Sequence, residues 1–324
     1  MKRAILLPVL LLTLWSLQAR VIFVKAGSNG NGFSWATAFG DLQPALKSAQ
    51  MGDQIWVAAG KYTPTKDADR AISFHIPSGV EMLGGFAGHE ASAEERNWSV
   101  NLTILSGEIG SHSIDDNSYT VIYTKNASVA TTVDGFVITG GAANGTGAKG
   151  DISRCGAGWY NDGSNGESSP VIANCIFTYN YGRDGGAIYN FAQNGTTNPT
   201  IQNCQFTYNR ADLDGGAIYN NGENGICSPT IESCMFEQNE ATYGAGILNL
   251  ANHGEAKPLI VNCEFVKNIS YIRGSSIHNH KGDDSSNEPI VQNCRFADNV
   301  STVGKEANSS VNLETSSANT SNQK

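Results

Sequence analysis

Positive charge is in short supply in this chain. Only 16% of its 324 residues are charged, and 30 acids stand against 21 bases, for a net charge of -9. A nucleic-acid binder needs a basic face for phosphates, so that class is excluded. A polybasic membrane-surface protein is excluded on the same ground. Long apolar runs are also missing: after residue 20 no stretch is long and apolar enough to span a bilayer. The repeated part of the chain has no apolar residues at helical spacing over two turns, which argues against helix-pair repeats. The leucine framework of a leucine-rich repeat is absent as well. Apolar residues themselves are not scarce. At 40% they suffice for a core, so wholesale disorder is not expected. Glycine, at 36 residues, and abundant asparagine favour tight turns and short strands.

The first residues read MKRAILLPVLLLTLWSLQA. Lys2 and Arg3 precede an apolar run from Ala4 to Trp15 and a short polar stretch ending at Ala19. This is the pattern of a secretory signal peptide over residues 1–19, giving a mature chain from near Arg20 or Val21. Secretion or display at the cell surface or outer membrane is expected. Residues 301–324 are polar and low in complexity and are expected to be a disordered tail.

A repeat dominates the remainder. PVIANCIF, PTIQNCQF, PTIESCMF, PLIVNCEF and PIVQNCRF place Cys175, Cys204, Cys234, Cys263 and Cys294 at spacings of 29, 30, 29 and 31. Phe177, Phe206, Phe236, Phe265 and Phe296 follow in step, as do Asn180, Asn209, Asn239, Asn268 and Asn299. A second segment, CGAGWYN, DGGAIYN, DGGAIYN, YGAGILN and RGSSIHN, ends at Asn161, Asn190, Asn220, Asn249 and Asn279. NG pairs follow it at Asn165, Asn194 and Asn224, with His253-Gly254 in the fourth copy. The strand segments alternate apolar and polar residues with period two, which puts Cys and Phe on one face.

A unit of about 29 residues with short strands and tight turns fits an all-β fold, the right-handed parallel β-helix. Like residues then stack on like residues in neighbouring coils, and stacked asparagines tie coil to coil at a corner. The step from corner Asn to corner Gly alternates between 5 and 6 residues, whereas Asn190 to Cys204, Asn220 to Cys234 and Asn249 to Cys263 are all 14. Irregularity is thus confined to the corner, since a slip inside a strand would turn its core face outward. Residues 151–300 form the regular coils. Residues 20–150 read as irregular coils of the same solenoid, with Asp41–Gln50 as a short helix capping the open N-terminal end.

These segments carry a resemblance. SWATAFGDLQPAL, GDQIWVAAGKYTPT, GVEMLGGFAG and TILSGEIG resemble the N-terminal region of secreted bacterial β-helix proteins of the pectin lyase-like superfold. FTYN, FEQN, FVKN and FADN, with GGAI at 185–188 and 215–218, resemble the FxxN and GGA[ILV] motifs of polymorphic outer-membrane protein repeats. That family implies a surface-exposed, adhesin-like, non-enzymatic module whose partner is a carbohydrate or a cell-surface protein. The superfold also implies alternatives: a polysaccharide lyase or glycoside hydrolase, with Ca²⁺ as cofactor only for a lyase, or a structural envelope spacer. No cofactor is otherwise expected.

The candidate catalytic cluster is Arg183, Asp184, Arg210, Asp212 and Asp214 in the corner loops. Asp184 and Asp214 fall in register on adjacent coils, where two acids could share a cation or shift each other's pKa. The plainer expectation is an exposed, solvated corner. Tyr179, Tyr181 and Tyr208 are candidate ligand-contact residues, and with Tyr189 and Tyr219 they are expected in outward rows, for partner contact or cross-coil stacking. His278 and His280 face one side of a strand, but no third ligand marks a metal site. The five in-step cysteines are expected to be buried free thiols, because five neighbours in one column cannot all pair. Cys155 and Cys227 lie outside the column, and their pairing is left open.

Overall fold

The computed structural model describes residues 19–111, 113–303 and 311–315. Most of the expected signal peptide, residues 1–18, lies outside the described residues, as do 304–310 and 316–324 of the expected tail.

Over the described residues the chain winds as a parallel β-solenoid with four long lateral sheets and a short fifth of two strands, Glu255–Ala256 and Ser286–Asn287. The first has nine strands, from Val21–Val24 and Gln54–Ala58 through Val171–Ala173 and Thr200–Gln202 to Ile290–Gln292. The second has eight, including Ile176–Thr178, Gln205–Thr207 and Met235–Glu237. The third has six, including Tyr181–Asp184, Arg210–Asp214, Glu240–Tyr243 and Ile269–Arg273. The fourth has eight, including Trp159–Asp162, Ile188–Phe191, Ile218–Glu223, Ile247–Asn252 and Ile277–Lys281. Coils from the irregular N-terminal part add strands to the same sheets: Thr132–Asp134 pairs with Val171–Ala173, and Ile122–Lys125 with Trp159–Asp162.

Pairing is in register, like on like. Phe177, Phe206, Phe236, Phe265 and Phe296 stack face to face with centroids 4.6–5.1 Å apart. That interval is the spacing of neighbouring strands, so one ring per coil makes a continuous column. Isoleucines 172, 201, 231 and 260 line the core beside it. All seven cysteines are free thiols. In the column each Sγ lies 3.1–3.3 Å from a carbonyl two residues back, as Cys175 does from Ala173 and Cys204 from Gln202.

Two asparagine ladders run along the interior. Asn180, Asn209, Asn239 and Asn268 each pass an amide N–H to the Oδ1 of the next rung, ending at Asn299, at 2.9–3.1 Å. Each Oδ1 also accepts the backbone N–H of the preceding Asn, as between Asn209 and Asn180. The second ladder, from Asn161 to Asn279, has links of 2.7–3.0 Å. It sits inside strands of the fourth sheet rather than at a corner. Nor do the Asn180-type residues adopt the left-handed conformation. That falls one position earlier, at Tyr179, Tyr208, Gln238, Lys267 and Asp298, and before each cysteine, at Asn174, Asn203, Ser233, Asn262 and Asn293. The ladder asparagines between the ends instead use both amide ends inside the core, which satisfies groups that burial would otherwise penalise, while terminal Asn279 uses only its Oδ1 among the described residues. The glycine corner is as expected: Gly185, Gly215, Gly244 and Gly274 have φ of 62–70°.

Helix α1 (Leu42–Ser48) plugs the N-terminal end, with Asp41 as N-cap accepting from the Gln43 N–H and Leu42, Ala45 and Leu46 buried. At the other end the structure corrects one expectation. Within the supposed disordered tail, Val311–Thr315 pairs in parallel with Ile277–Lys281 as a further strand of the fourth sheet. The last regular coil leaves a strand edge open, and the alternating VNLET segment is able to use it.

Candidate functional site

The corner cluster divides in two. Its outer part, Arg210, Asp212 and Tyr181, lies on the surface of the third sheet. The Tyr181 hydroxyl donates to Asp212 Oδ2 at 2.7 Å, Arg210 pairs with Asp212 at 3.5 Å, and the Arg210 guanidinium lies 5.4 Å from the Tyr181 ring centre. This is a solvated patch, as expected. The inner part is not. Asp184 is only 4% exposed, and Asp214 is largely shielded, which corrects the expectation of an exposed corner for these two. A register shift between Gly182 and Asp184 absorbs the extra residue that alternates between coils as a bulge and keeps Asp184 and Asp214 paired, while Cys155 of the preceding coil closes over Asp184.

Asp184 Oδ2 is met by Arg183 at 3.2 Å and by the Cys155 thiol at 3.8 Å, while its buried Oδ1 has no hydrogen-bond partner among the described residues. Burial raises the Asp184 carboxyl above its ordinary range, against the pull of Arg183 and Arg154. For Asp214, burial and then the neighbouring Asp184 charge push it up to about 7. Two acids on adjacent coils do not both ionise easily, so the pair holds a proton near neutrality.

Asp214 opens into a pocket of about 350 Å³ with Lys149, Tyr219, Tyr243, Leu248, Leu250, His278 and His280. Its floor is the outward face of the fourth sheet. Along these strands the interior takes Ile188, Ile218, Ile247 and Ile277, so the next residue in each faces out: Tyr160, Tyr189, Tyr219, Leu248 and His278. Residues two further on share that face, which brings Leu250 and His280 beside Leu248 and His278. The sequence reading that put both histidines on one side thus holds. Tyr243 lies 5.5 Å from His278, ring centre to ring centre. Burial, with the charges of His280 and Arg273, lowers His278 to about 4, so it is neutral at physiological pH.

The expectation that Tyr189 and Tyr219 form an exposed row is overturned. They belong to a second apolar cluster with Cys155, Tyr160, Leu248 and Leu250, outside the main core. A loop covers them. Residues 144–154 leave the third sheet, and Gly145 N–H donates to Ser153 O to close the loop on itself. Tyr160 donates to Gly150 O at 2.6 Å, Thr120 Oγ1 to Ile152 O at 3.2 Å, and Lys149 pairs with Glu223 at 2.9 Å. Lys149 of the loop and Tyr219 of the sheet both line the pocket, which opens beside the loop. Neither this loop nor Lys149, Tyr243, Leu248 and Leu250 was singled out in the sequence. The available signal was length: between Ala143 and Cys155 this coil carries residues that later coils lack.

Tyr179 and Tyr208 match their expectation. They are 65% and 44% exposed and stack at 5.1 Å with an interplanar angle of 4°. Cys227 is buried, with its sulfur 3.2 Å from Thr197 Oγ1. Among the described residues no three His, Cys, Asp or Glu side chains converge to hold a metal ion, and no helix is long and apolar enough to cross a membrane.

Residues 203–221 match the Chlamydia polymorphic membrane protein (Chlamydia_PMP) repeat. The match covers about two thirds of one coil, with its FTYN and GGAIYN segments. No curated protein and no solved structure matches the chain. The repeat match agrees with the parallel β-solenoid: Phe206 and Asn209 of FTYN are interior rungs, and the GGAI corner is packed against its neighbours.

Proposed function

We propose that this is a surface-exposed β-solenoid that binds a carbohydrate or cell-surface protein through its lateral face, with the repeat motifs as scaffold. One observation carries the reading. The Phe and Asn of every FxxN tetrad point into the core, so only the two middle residues face a partner. In adjacent coils these are Thr178-Tyr179 and Thr207-Tyr208. Both tyrosines hold the left-handed conformation, at φ of 53° and 56°, which is uncommon for a bulky side chain. Two coplanar, solvent-facing rings at such positions are a contact platform, since aromatic rings give large area at low entropic loss. The similarity to a membrane-protein repeat supports display at a surface.

The test is Tyr179→Ser with Tyr208→Ser, assayed by glycan array and by adhesion of labelled protein to cells. Loss of at least tenfold in binding with an unchanged melting curve is expected. Wild type that binds neither glycans nor cells would leave the spacer reading in its place.

A polysaccharide lyase or hydrolase is the second reading, favoured by one feature: Asp214, raised to about 7, stands in a pocket where it can give or take a proton near neutral pH. Release of reducing or unsaturated ends from a polysaccharide panel, with and without Ca²⁺, and its loss in Asp214→Asn, would establish it.

A further inference from the structure

The pocket beside the covering loop has no part in the tyrosine platform, and its chemistry selects a ligand class. Its carboxyl is Asp214, half-buried, and among the described residues no side-chain or backbone donor is bonded to it, so its oxygens face the pocket. A half-buried acceptor that solvent alone serves is available to the donors of a ligand. The rest of the lining is an apolar shelf of Tyr219, Tyr243, Leu248 and Leu250, with His280 and Lys149 at the polar rim.

Charge then narrows the choice. Lys149 and Arg183 both act on Asp214, so an ammonium ligand would meet two cations already in place. An anionic ligand would meet Asp214, Asp184 behind it and Glu223, which pairs with Lys149. A neutral molecule rich in hydroxyls fits both halves, donating to the carboxyl and accepting at the rim. A pyranose adds an apolar C–H face for the shelf. The volume, about 350 Å³, is at the small end of the ~300–1,000 Å³ usual for ligand pockets.

We infer that the pocket between the loop 144–154 and the fourth sheet binds a single neutral sugar unit, with Asp214 accepting its hydroxyls and Leu248, Leu250 and Tyr243 beneath its apolar face. This deepens the carbohydrate arm of the proposed function and rests on it, but the site is separate from the tyrosine platform.

The groups facing Asp214 are Asp184, Arg183, Lys149 and, in the pocket wall, Tyr219, His278 and His280. Of these Asp184 and Asp214 titrate together, so sugar affinity should change by no more than a few fold between pH 6 and 8, because both forms of Asp214 retain an acceptor oxygen.

The experiment is a titration of the full chain with methyl glycosides of glucose, galactose, mannose and N-acetylglucosamine, read by saturation-transfer NMR and calorimetry. n-Butylamine and acetate serve as charged probes. At least one glycoside should bind saturably. Affinity should fall tenfold or more in Asp214→Ala and in Leu250→Trp, which fills the pocket, and severalfold in His280→Ala. The Tyr179→Ser, Tyr208→Ser protein should bind the glycoside as wild type does. If Asp214→Ala or Leu250→Trp misfolds by circular dichroism, the half-exposed His280→Ala decides. The inference is overturned if no glycoside binds, if binding ignores the pocket variants, or if n-butylamine or acetate occupies the site instead. Cell adhesion that depends on the tyrosines but persists in the pocket variants would leave the broader function standing while this site fails.

Discussion

At the scale of single residues, burial decides which groups carry their usual charge. Asp214 has a folded-state pKa raised from 3.8 to about 7. The native state therefore binds a proton more tightly than the unfolded chain, and stability from this group is full below about pH 4 and lost as pH rises to about 7. His278 works the other way: lowered to about 4, it is destabilising as pH falls from about 6.5 towards 4, where only the unfolded chain readily takes the proton. Asp214→Asn should therefore be more stable than wild type at pH 8, by roughly 2–4 kcal/mol, with the gap closing towards pH 4. Urea melts across that range measure it, and a gap that does not vary with pH would contradict the buried acid pair. The thiols give a second check. Burial pushes Cys204 and Cys227 well above the ordinary thiol range, Cys227 to about 12, and the neighbouring Cys263 thiol and then burial raise Cys294 too, but Cys294 in the last coil is the one cysteine a reagent can reach. With a thiol reagent under native conditions Cys294 should react first, and the other six only on unfolding.

Elements are joined here by ladders rather than by isolated contacts. Asn220, fully buried, hands one hydrogen to Asn249 and takes one from Asn190. Asn220→Leu fills the same volume but leaves a donor on Asn190 and an acceptor on Asn249 unmet. A loss of about 2–4 kcal/mol is expected from chemical denaturation, more than for an ordinary exposed hydrogen bond. The ladders were legible in the sequence because a column repeats its residue type, and period-two alternation assigned Cys and Phe to the core. What could not be read was anything that depends on neighbours outside the repeat. Tyr189 and Tyr219 sit at outward positions of their strands, so alternation placed them in solvent; the loop 144–154, an insertion with no periodicity, buries them. Asp184 and Asp214 were matched in register, yet their burial depends on the covering residue Cys155 of the preceding coil, which lies outside the cysteine column. The pocket borders both the loop and Asp214, and of its lining Asp214, Tyr219, His278 and His280 were named from the sequence, whereas Lys149, Tyr243, Leu248 and Leu250 were not.

Over the whole molecule the core is a line, and a defect has consequences that depend on where along it the defect falls. Phe236 is fully buried between two rings, while Phe296 has a ring on one side only and is partly exposed. Phe236→Ala should lower stability by about 3–5 kcal/mol and Phe296→Ala by about 1 kcal/mol or less. Hydrogen exchange should then show the former opening the middle coils and the latter only the last. The same geometry bears on how such a chain can change in size. Each turn offers its successor an identical template of rings, thiols and amides, so splicing in or removing one whole period of 29 to 31 residues would restore every column on both sides of the joint. Length can thus be altered in steps of about 4.8 Å without redesigning any coil, and a ligand site on one turn could be carried farther from the base simply by duplicating the turns beneath it.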